Sequence, residues 1–435
     1  MSESTMSESK KSAAVLSDIA FIEASNGASP LLKNFCQTKK QALAAWPIPT
    51  RKTESWKYSA KRLKLADNYP TLTDVASSYQ PAYELDCYTL LLSNDRITLN
   101  DGNIQGLSIK RFSELNETEA AQVRSGIIAE SKDFQFADLN AAQFIDGIYI
   151  QIEDKAQIDK PIKIVFEHLG QGMSFPRVFV YVGKNASFEL IEELNITSDE
   201  DGDAFINSVC DITIADNARL RYLRMNLGSV KNENSACKHI GATGVKMLRN
   251  SRFESYCMAL GSDLARHDLH VKMLEQGAEC DLNGVCVTRD QQHFDNHTCI
   301  EHVAPHCTSN ETYRCIADQH SSIVFNGRIH IHPDAQKSLG SMSNKNLLLS
   351  SKAEINAKPE LEIYADDVKC AHGTTMGQLD ETEMYYLKTR GVSSEQAKLM
   401  LTLGFVLEVV RATPIESIAE FWEQQLTDIL SFQES

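Results

Sequence analysis

The sequence lacks the common nucleotide-binding and hydrolase motifs. It has no G-x-x-x-x-G-K-[ST] loop, no Rossmann glycine fingerprint and no G-x-S-x-G turn. The first two motifs bring backbone N–H groups close to phosphates, and the third exposes a nucleophilic serine. The chain itself is therefore not expected to be an ATPase, and neither a dinucleotide site nor a serine hydrolase site is indicated.

Positive charge is also scarce. The 43 Lys and Arg residues stand against 59 Asp and Glu residues, which gives a formal net charge of −16. Nucleic-acid binders usually present a basic face, and anionic membranes attract basic segments. No apolar run approaches the ~18 residues of a membrane-spanning helix, and the N-terminus lacks the apolar core of a signal peptide. We expect a cytoplasmic protein that binds neither nucleic acid nor membrane.

The 11 cysteines form no C-x-x-C pair, so neither a zinc ribbon nor a disulfide framework is indicated. Nine of them lie between Cys210 and Cys370, and 11 of the 12 histidines lie between His239 and His372. This clustering is consistent with metal chemistry. It is equally consistent with a long β core that uses Cys and His as small buried fillers, and for any single residue the second interpretation is favoured.

The pattern divides the chain into four parts. Residues 1–12 are polar and Ser-rich, which predicts a disordered tail. Residues 13–138 combine helical periodicity with a few strand-like runs. Residues 139–372 consist of short β-branched and aromatic runs separated by turn residues, which predicts a long β core. Residues 373–435 again have helical periodicity and predict a C-terminal helical domain.

A weak internal repeat occurs in the β region. Each copy has a turn-prone or polar residue, then Ala, any residue and an apolar residue. The copies are Asn185-Ala186-Ser187-Phe188, Asn217-Ala218-Arg219-Leu220, Gly277-Ala278-Glu279-Cys280 and Lys352-Ala353-Glu354-Ile355. Ala fits a tight corner, and the apolar residue begins a new inward-facing strand. Recurrent corners favour a β-solenoid over the alternative, a two-sheet sandwich.

Three helix starts are visible in the C-terminal part. Asp380-x-x-Glu383 and Ser393-x-x-Gln396 are capping boxes, and Arg390-Gly391 is a helix end. Thr413-Pro414-x-Glu416 predicts a third helix with Pro414 at its first position. Apolar residues nearly encircle the second helix, so we expect neighbouring helices or a partner protein to cover it.

Cys370 and His372 are the first candidate for chemistry. If this stretch is a strand, residues two apart point to the same side, and Gly373 and Gly377 would mark a turn out of it. Thiolate and imidazole bind zinc, copper and iron–sulfur species. Two ligands are too few for a closed tetrahedral site. The pair is either half of a site completed elsewhere or a buried cysteine beside a hydrogen-bonded histidine.

Two further histidine groups deserve comparison. His330 and His332 would share one face of a strand, as in cupin metal sites, but a carboxylate at the expected spacing is missing. The group around His293, Asp295 and His297 is polar enough for catalysis, yet stacked polar corners of a solenoid have the same composition. The alternative function is thus a free-standing metal-dependent enzyme on a β-helix or a cupin-like barrel.

Many short segments resemble one family when taken in order. They are Leu139-Asn140, Asp146-Gly147, Pro176-Arg177, Asn207-Ser208, Asp295-Asn296-His297-Thr298, Pro305-His306-Cys307, Phe325-Asn326-Gly327-Arg328, Asn346 to Ser350, Pro359-x-Leu361-Glu362-Ile363, Asp366 to Gly373, Tyr386-Leu387, Arg390-Gly391 and Gly404-Phe405. This series resembles the SufB/SufD family of Suf iron–sulfur cluster assembly scaffolds. Two features are similar to the SufD branch of this family. They are the Arg51-x-x-Glu54-x-Trp56-x-Tyr58 cluster and the run His372-Gly-Thr-Thr.

The resemblance implies a mainly β fold with helical ends. Its core would be a right-handed parallel β-helix, flanked by N-terminal and C-terminal helical regions. It also implies a complex with SufB and two copies of the SufC ATPase, an ABC-type protein. The isolated chain could be a monomer or a homodimer.

The resemblance also implies roles for individual residues. His372 matches the family histidine that faces SufB where a nascent cluster forms, and Cys370 matches the neighbouring cysteine. The last coils would pair with SufB, and the C-terminal helices would dock SufC. The SufB contacts would include Leu361, Ile363, Asp367 and Lys369, and the SufC contacts would include Tyr386, Arg390, Gly391 and Phe405.

These implications describe a non-catalytic scaffold subunit. The only cofactor would be a transient iron–sulfur cluster shared with SufB, and the chain alone would hold none. No flavin motif is present, although the family complex has been linked to reduced flavin. A third alternative is a purely structural partner that only stabilises SufB.

Overall fold

The computed structural model describes most of the chain. The described residues are 30–65, 77, 79–94, 96–99, 104–127, 134–197, 203–230 and 236–431. The predicted disordered tail, residues 1–12, lies outside them. None of the described helices combines the length and apolarity that crossing a bilayer requires.

Two long sheets make up the centre of the described part. The first contains β1 (Tyr88–Ser93), β2 (Arg96–Leu99), β5 (Ile162–Leu169), β8 (Ser187–Thr197), β11 (Arg219–Val230), β13 (Arg252–Leu260), β15 (Glu279–Thr288), β17 (Thr308–Ala317), β19 (Leu339–Leu348) and β21 (Lys369–Gly377). The second contains β3 (Leu107–Arg111), β4 (Ile148–Ile152), β6 (Gly172–Ser174), β7 (Arg177–Val182), β9 (Ala204–Ile206), β10 (Val209–Ile214), β12 (Cys237–Met247), β14 (Leu264–Met273), β16 (His293–His302), β18 (Ser322–Ile331) and β20 (Glu354–Ile363).

The chain alternates between the two sheets from β10 onward. Each of these strands pairs in parallel with the strand two further along, for example β14 with β16 and β16 with β18. One passage through both sheets is therefore one coil of a β-solenoid. The predicted parallel β-helix with helical ends is confirmed. Two antiparallel pairs, β1 with β2 and β3 with β4, close its N-terminal end.

The corners explain three of the four copies of the internal repeat, and the copy at Lys352 has no left-handed corner residue. Asn185, Asn217 and Gly277 have φ values of 58°, 56° and 74°. Asn and Gly tolerate this left-handed backbone, which turns the chain sharply. The alanines that follow are buried, and the next apolar residues enter the core between the sheets. Side chains also stack between coils, since Asn217 Nδ2 donates to Asn185 Oδ1 at 3.3 Å.

The core between the sheets contains polar groups as well as aliphatic ones. Tyr222 donates to Glu192 at 2.5 Å, and Arg224 Nε donates to the same carboxylate at 3.1 Å. Glu311 is fully buried and accepts from Thr298 at 2.6 Å. Burial raises the pKa of Glu311 to about 7, against the Thr298 hydrogen bond, which lowers it.

Helices occupy both ends of the chain. They are α1 (Lys33–Leu43), α2 (Glu117–Gly126), α3 (Gln135–Gln143), α4 (Glu381–Thr389), α5 (Ser394–Arg411) and α6 (Glu416–Leu430). Asp380 and Ser393 accept hydrogen bonds from the first turns of α4 and α5. The capping box is complete at Ser393 and Gln396, whereas Asp380 forms only the N-cap half of the predicted box. Pro414 precedes α6 and is not its first residue, because Ile415 occupies the N-cap.

The helical ends cover opposite outer faces of the solenoid. Trp56, Phe136 and Phe112 pack with residues of the second sheet, whereas Val406 and Trp422 pack with residues of the first sheet. Helix α5 thus lies between the first sheet and its neighbours α4 and α6, which accounts for its broad apolar surface. The domain limits at 138 and 372 stay predictions, and strands of the two sheets lie on both sides of them.

Candidate functional site

The C-terminal end of the solenoid presents two unpaired strand edges. Within the described residues, β21 pairs only with β19, and β20 pairs only with β18. The inner strands pair on both sides. An edge strand presents a row of free N–H and C=O groups that another chain can pair with. A partner strand could therefore add at this open end, as it could at the opposite edge strands β2 and β3.

Cys370 and His372 both lie on β21, at this open end. Cys370 is half-buried and packs against the core between the sheets, opposite Gly340 of β19. His372 lies opposite Met342 and is exposed. Because residues two apart in a strand share a face, both side chains point to the core side of β21, where no further coil covers them. The strand continues through Gly373 and ends at Gly377, so the turn expected at Gly373 is wrong.

Burial raises the pKa of the Cys370 thiol above its ordinary value, against the Gly340 backbone hydrogen bond, which lowers it. Burial thus favours the thiol over the thiolate. A metal ion bound to Cys370 would displace the thiol proton, since the thiolate is the ligand form.

The four predicted SufB contacts lie around the same end. Leu361 and Ile363 belong to the edge strand β20, where Leu361 is half-buried and Ile363 is exposed. Asp367, in the turn between β20 and β21, forms an ion pair with Lys337. Lys369 is exposed and begins β21. The structure thus brings these four residues to the coil that carries Cys370 and His372.

The four predicted SufC contacts differ in exposure. Tyr386 is 57% exposed on α4, and the Arg390 guanidinium lies 5.2 Å from its ring centroid. Gly391 follows α4 with a φ of 85°, which lets the chain turn into α5. Phe405 of α5 is partly buried in the cluster beneath the C-terminal helices. Tyr386 is available to a partner, whereas Phe405 supports the helix packing.

His330 and His332 are stacked, with ring centroids 4.3 Å apart. His332 Nε2 lies 3.0 Å from Glu301, and His330 Nδ1 lies 3.1 Å from Glu362. Each imidazole thus has a carboxylate partner of its own. The two rings do not converge on a common point as a cupin-like pair would.

The group around Asp295 anchors the N-terminal segment. Asp295 contacts Arg266 at 2.8 Å and His297 at 2.8 Å, and it accepts a hydrogen bond from Ser59. Burial would raise the pKa of Asp295, but Arg266 and His297 more than offset it and hold the pKa below its ordinary range. Ser59 also lies 2.8 Å from His293 Nε2. The serine is fully buried and its contacts hold the N-terminal segment on the second sheet, so this constellation stabilises a junction. Ser59, Asp295 and His297 also line a cavity of about 350 Å³ beside that junction.

Trp56 completes that junction. Its indole is buried, and the Arg266 guanidinium lies 4.2 Å from the ring centroid. This stacking indicates that Trp56, one of the residues of the Arg51 to Tyr58 cluster, has a packing role. The sequence interpretation missed Ser59 and Arg266, which are over 200 residues apart.

A second group was also missed. His270, Cys299 and Glu301 offer ligand atoms that all lie within 4.8 Å of one another. Cys299 and Glu301 follow Asp295 and His297 at alternate positions of β16. This period of two predicts that the four side chains share the outer face. The alternation was a visible signal, but the partner His270 lies on β14 and is revealed only by the pairing register.

Comparison with known proteins agrees with the fold. Residues 165–405 match the family model for the SUF system FeS cluster assembly, SufBD core domain. The iron–sulfur cluster assembly protein SufD of Escherichia coli is 26% identical over 88% of this chain and 90% of its own length. SufD of Bacillus subtilis is 23% identical over 88% of this chain and 89% of its own length.

A SufBD family protein of Synechocystis is 30% identical over 65% of this chain, and the match covers 63% of that protein. The family model alone covers more than half of the chain. The chain therefore belongs to the SufBD family of the SUF iron–sulfur cluster assembly system.

Proposed function

We propose that this chain is the SufD-type subunit of a SufB–SufC–SufD scaffold on which iron–sulfur clusters are assembled. It contributes a half-site, His372 with Cys370, to the interface with SufB, and it docks the SufC ATPase. The observation that carries the proposal is the placement of these two donors on β21, an edge strand that pairs only with β19 among the described residues.

The number of donors supports a shared site. An iron–sulfur cluster or a tetrahedral metal centre takes four protein or exogenous ligands, and β21 offers two side chains of the right type. The nascent cluster is cargo that must leave the scaffold. A site divided between two chains opens when the chains move apart, and an ATPase can drive that movement.

The backbone supports a strand-pairing partner. The outer edges of β20 and β21 carry unpaired groups among the described residues, and strand addition satisfies such groups with regular hydrogen bonds. SufB, as a paralogous β-helix, would present a matching edge. Ile363 at 42% and Met376 at 51% exposure add apolar area to this surface.

The outer surface of α4 and α5 supports the ATPase contact. Tyr385, Tyr386 and Met400 are exposed by 70%, 57% and 54%. None of the residues of α4 is buried. Exposed aromatic and Met side chains on neighbouring helices are typical of partner-binding surfaces. We call these three residues the α4–α5 patch.

The remaining features fit a scaffold in the cytoplasm. All 11 cysteines are free thiols, which suits a reducing compartment. In this proposal the chain acts as a scaffold subunit without a catalytic cycle of its own.

An anaerobic pull-down of the full chain, expressed with its cellular partners, tests the proposal. We expect a SufB-type protein and an ABC-type ATPase to co-elute. Tyr386→Asp places a charge in the α4–α5 patch. It should reduce recovery of the ATPase by about 30-fold, because loss of a central aromatic contact costs about 2 kcal/mol or more.

Tyr58→Asp is the matched control. Tyr58 is also an exposed tyrosine, but it lies outside the α4–α5 patch, and the variant should retain both partners. Recovery of the chain by itself would refute the scaffold proposal. Unchanged ATPase recovery with Tyr386→Asp would refute the docking surface alone.

A further inference from the structure

The outer face of the second sheet carries a compact group of three different donor types. His270 lies on β14, and Cys299 and Glu301 lie on β16, with His270 directly opposite Cys299 in the parallel register. His270 Nε2 lies 2.5 Å from Glu301 Oε1. One donor atom from each residue falls within the 4.8 Å span of the group.

The dimensions of the group suit a metal ion. Ligand distances of ~2.0–2.3 Å around a tetrahedral ion place the donor atoms about 3.3–3.8 Å apart. Small rotations of the three side chains therefore suffice to admit an ion. The mixture of imidazole, thiolate and carboxylate excludes a preference for Mg²⁺ or Ca²⁺, which select oxygen ligands, and favours zinc-like or ferrous ions.

The surroundings orient the donors. The His270 ring is stacked on Phe134, with centroids 5.1 Å apart, and its side chain is 3% exposed. His332 Nε2 holds the other oxygen of Glu301 at 3.0 Å. Such contacts to a ligating carboxylate fix its position. The pairing of β14 with β16 fixes the backbones that carry the three donors.

The group also leaves one polar atom unexplained. His270 Nδ1 is buried and has no hydrogen-bond partner in the part of the chain that the structure describes. A buried polar atom without a partner costs free energy, so its retention calls for a role.

An entry route adjoins the group. A cavity of about 220 Å³ is lined by Cys299, by the carboxylates of Glu54, Asp268, Glu360 and Glu362, and by the cations Arg328 and Lys358. The four carboxylates outnumber the two cations, and a net negative wall attracts metal cations. Arg328 donates to the Cys299 sulfur from Nε and Nη2 at 3.4 Å, and Lys272 Nζ lies 3.5 Å from Glu301. While the site is without an ion, Lys272 thus pairs with the Glu301 carboxylate and Arg328 contacts the Cys299 sulfur.

We propose that His270, Cys299 and Glu301 form a site for one divalent transition-metal ion of the zinc or ferrous class. Three protein ligands leave the fourth position open toward the cavity, so the ion exchanges rather than being locked in. On binding, the ion displaces the thiol proton of Cys299. The site is separate from His372 and goes beyond the proposed function, and it revises the expectation that the isolated chain holds no metal.

Cobalt titration of the full-length isolated chain under anaerobic conditions tests the site. Co²⁺ bound by a thiolate gives a near-ultraviolet charge-transfer band that oxygen and nitrogen ligands alone do not give. We expect the band to saturate at one equivalent of Co²⁺ and to be abolished by an equivalent of Zn²⁺. Cys299→Ser should remove the band and weaken Co²⁺ binding by more than about 100-fold. Competition with Fe²⁺ then ranks the two natural ions.

Three control variants make the test specific. Cys87→Ser removes a thiol remote from the group, and Cys370→Ser and His372→Ala change the proposed half-site. All three should retain the band. Glu301→Gln keeps the thiol and the side-chain shape, so it should weaken binding even if Cys299→Ser fails to fold. Circular dichroism checks the fold of each variant.

Absence of the band in the native chain, or its persistence in Cys299→Ser, would overturn the proposal. Loss of the band in Cys370→Ser would also overturn it and would assign the ion to the half-site. Partner recovery is measured separately. Failure of the metal site therefore leaves the scaffold proposal standing, and failure of the scaffold proposal leaves the metal site standing.

Discussion

Replacing His372 with Ala should leave the complex assembled but nearly empty of clusters. His372 is exposed on the edge strand β21, so its loss removes few packing contacts. In the proposed half-site, its imidazole is one of the two donors to the nascent cluster. We expect the iron and acid-labile sulfide recovered with the purified complex to fall by at least about tenfold, since even the residues that orient metal ligands contribute that much.

His320→Ala is the matched control. His320 is an exposed histidine in a corner between strands, away from β21, and its replacement should leave cluster content unchanged. Cys370→Ser then tests the second donor with a nearly isosteric side chain. Cluster content in His372→Ala equal to that of the native complex would support the alternative that this chain only stabilises SufB.

Replacing Arg266 with Met should destabilise the protein strongly. The guanidinium is fully buried and binds Asp268 at 2.7 Å, Asp295 at 2.8 Å and the Ser55 carbonyl at 2.6 Å. It also stacks on Trp56. Met fills similar space but leaves two buried carboxylates without their cation. Breaking a buried ion pair from one side costs about 3–5 kcal/mol, and we expect that loss in the free energy of unfolding measured with denaturant.

The same variant should loosen one particular region. Ser55, Trp56 and Ser59 hold the N-terminal segment on the solenoid through Arg266 and Asp295. Limited proteolysis should therefore cleave Arg266→Met between residues 50 and 65 faster than the native chain. Arg249→Met removes an exposed arginine that lies 3.8 Å from Asp216, and it should cost less than about 1 kcal/mol. An equally small loss for Arg266→Met would contradict the role assigned to the junction.

Local sequence signals predicted much of the fold. Asn185, Asn217 and Gly277 were identified as corners because few residues tolerate the left-handed backbone that these corners adopt. Asp380 and Ser393 were identified as caps because their side chains satisfy backbone N–H groups only a few residues away. In each case the interaction that determines the local structure lies within four residues of the residue that predicted it.

The wrong predictions at Gly373 and Pro414 came from local preferences of glycine and proline that are less strict. Glycine weakens a strand without ending it, and at Gly373 pairing with Ser343 of β19 outweighs the turn preference. Proline is favoured in the first turn of a helix but is also common just before it. At Pro414 the structure places Ile415 at the N-cap instead.

Contacts between distant residues could not be derived from periodicity. A period of two assigns Cys299 and Glu301 to one face of β16, but it does not give the number of residues in a coil. That number decides that His270 lies opposite Cys299. The contacts of Ser59 with His293 and Asp295 depend in addition on how the N-terminal segment lies across the sheet. The sequence placed Cys370 and His372 at the end of the β core, but the pairing register was needed to show that their strand has a free edge.

Hydrogen exchange at β21 tests the central claim most directly. In the isolated chain, verified as monomeric, the amides of residues 369–377 that point away from β19 have no strand partner among the described residues. If SufB adds a strand there, the same amides should exchange at least about tenfold more slowly in the purified complex, because paired backbone groups exchange only when the pairing opens. Equal exchange rates in the isolated chain and in the assembled complex would show that β21 remains free, and that His372 and Cys370 are not part of a shared site.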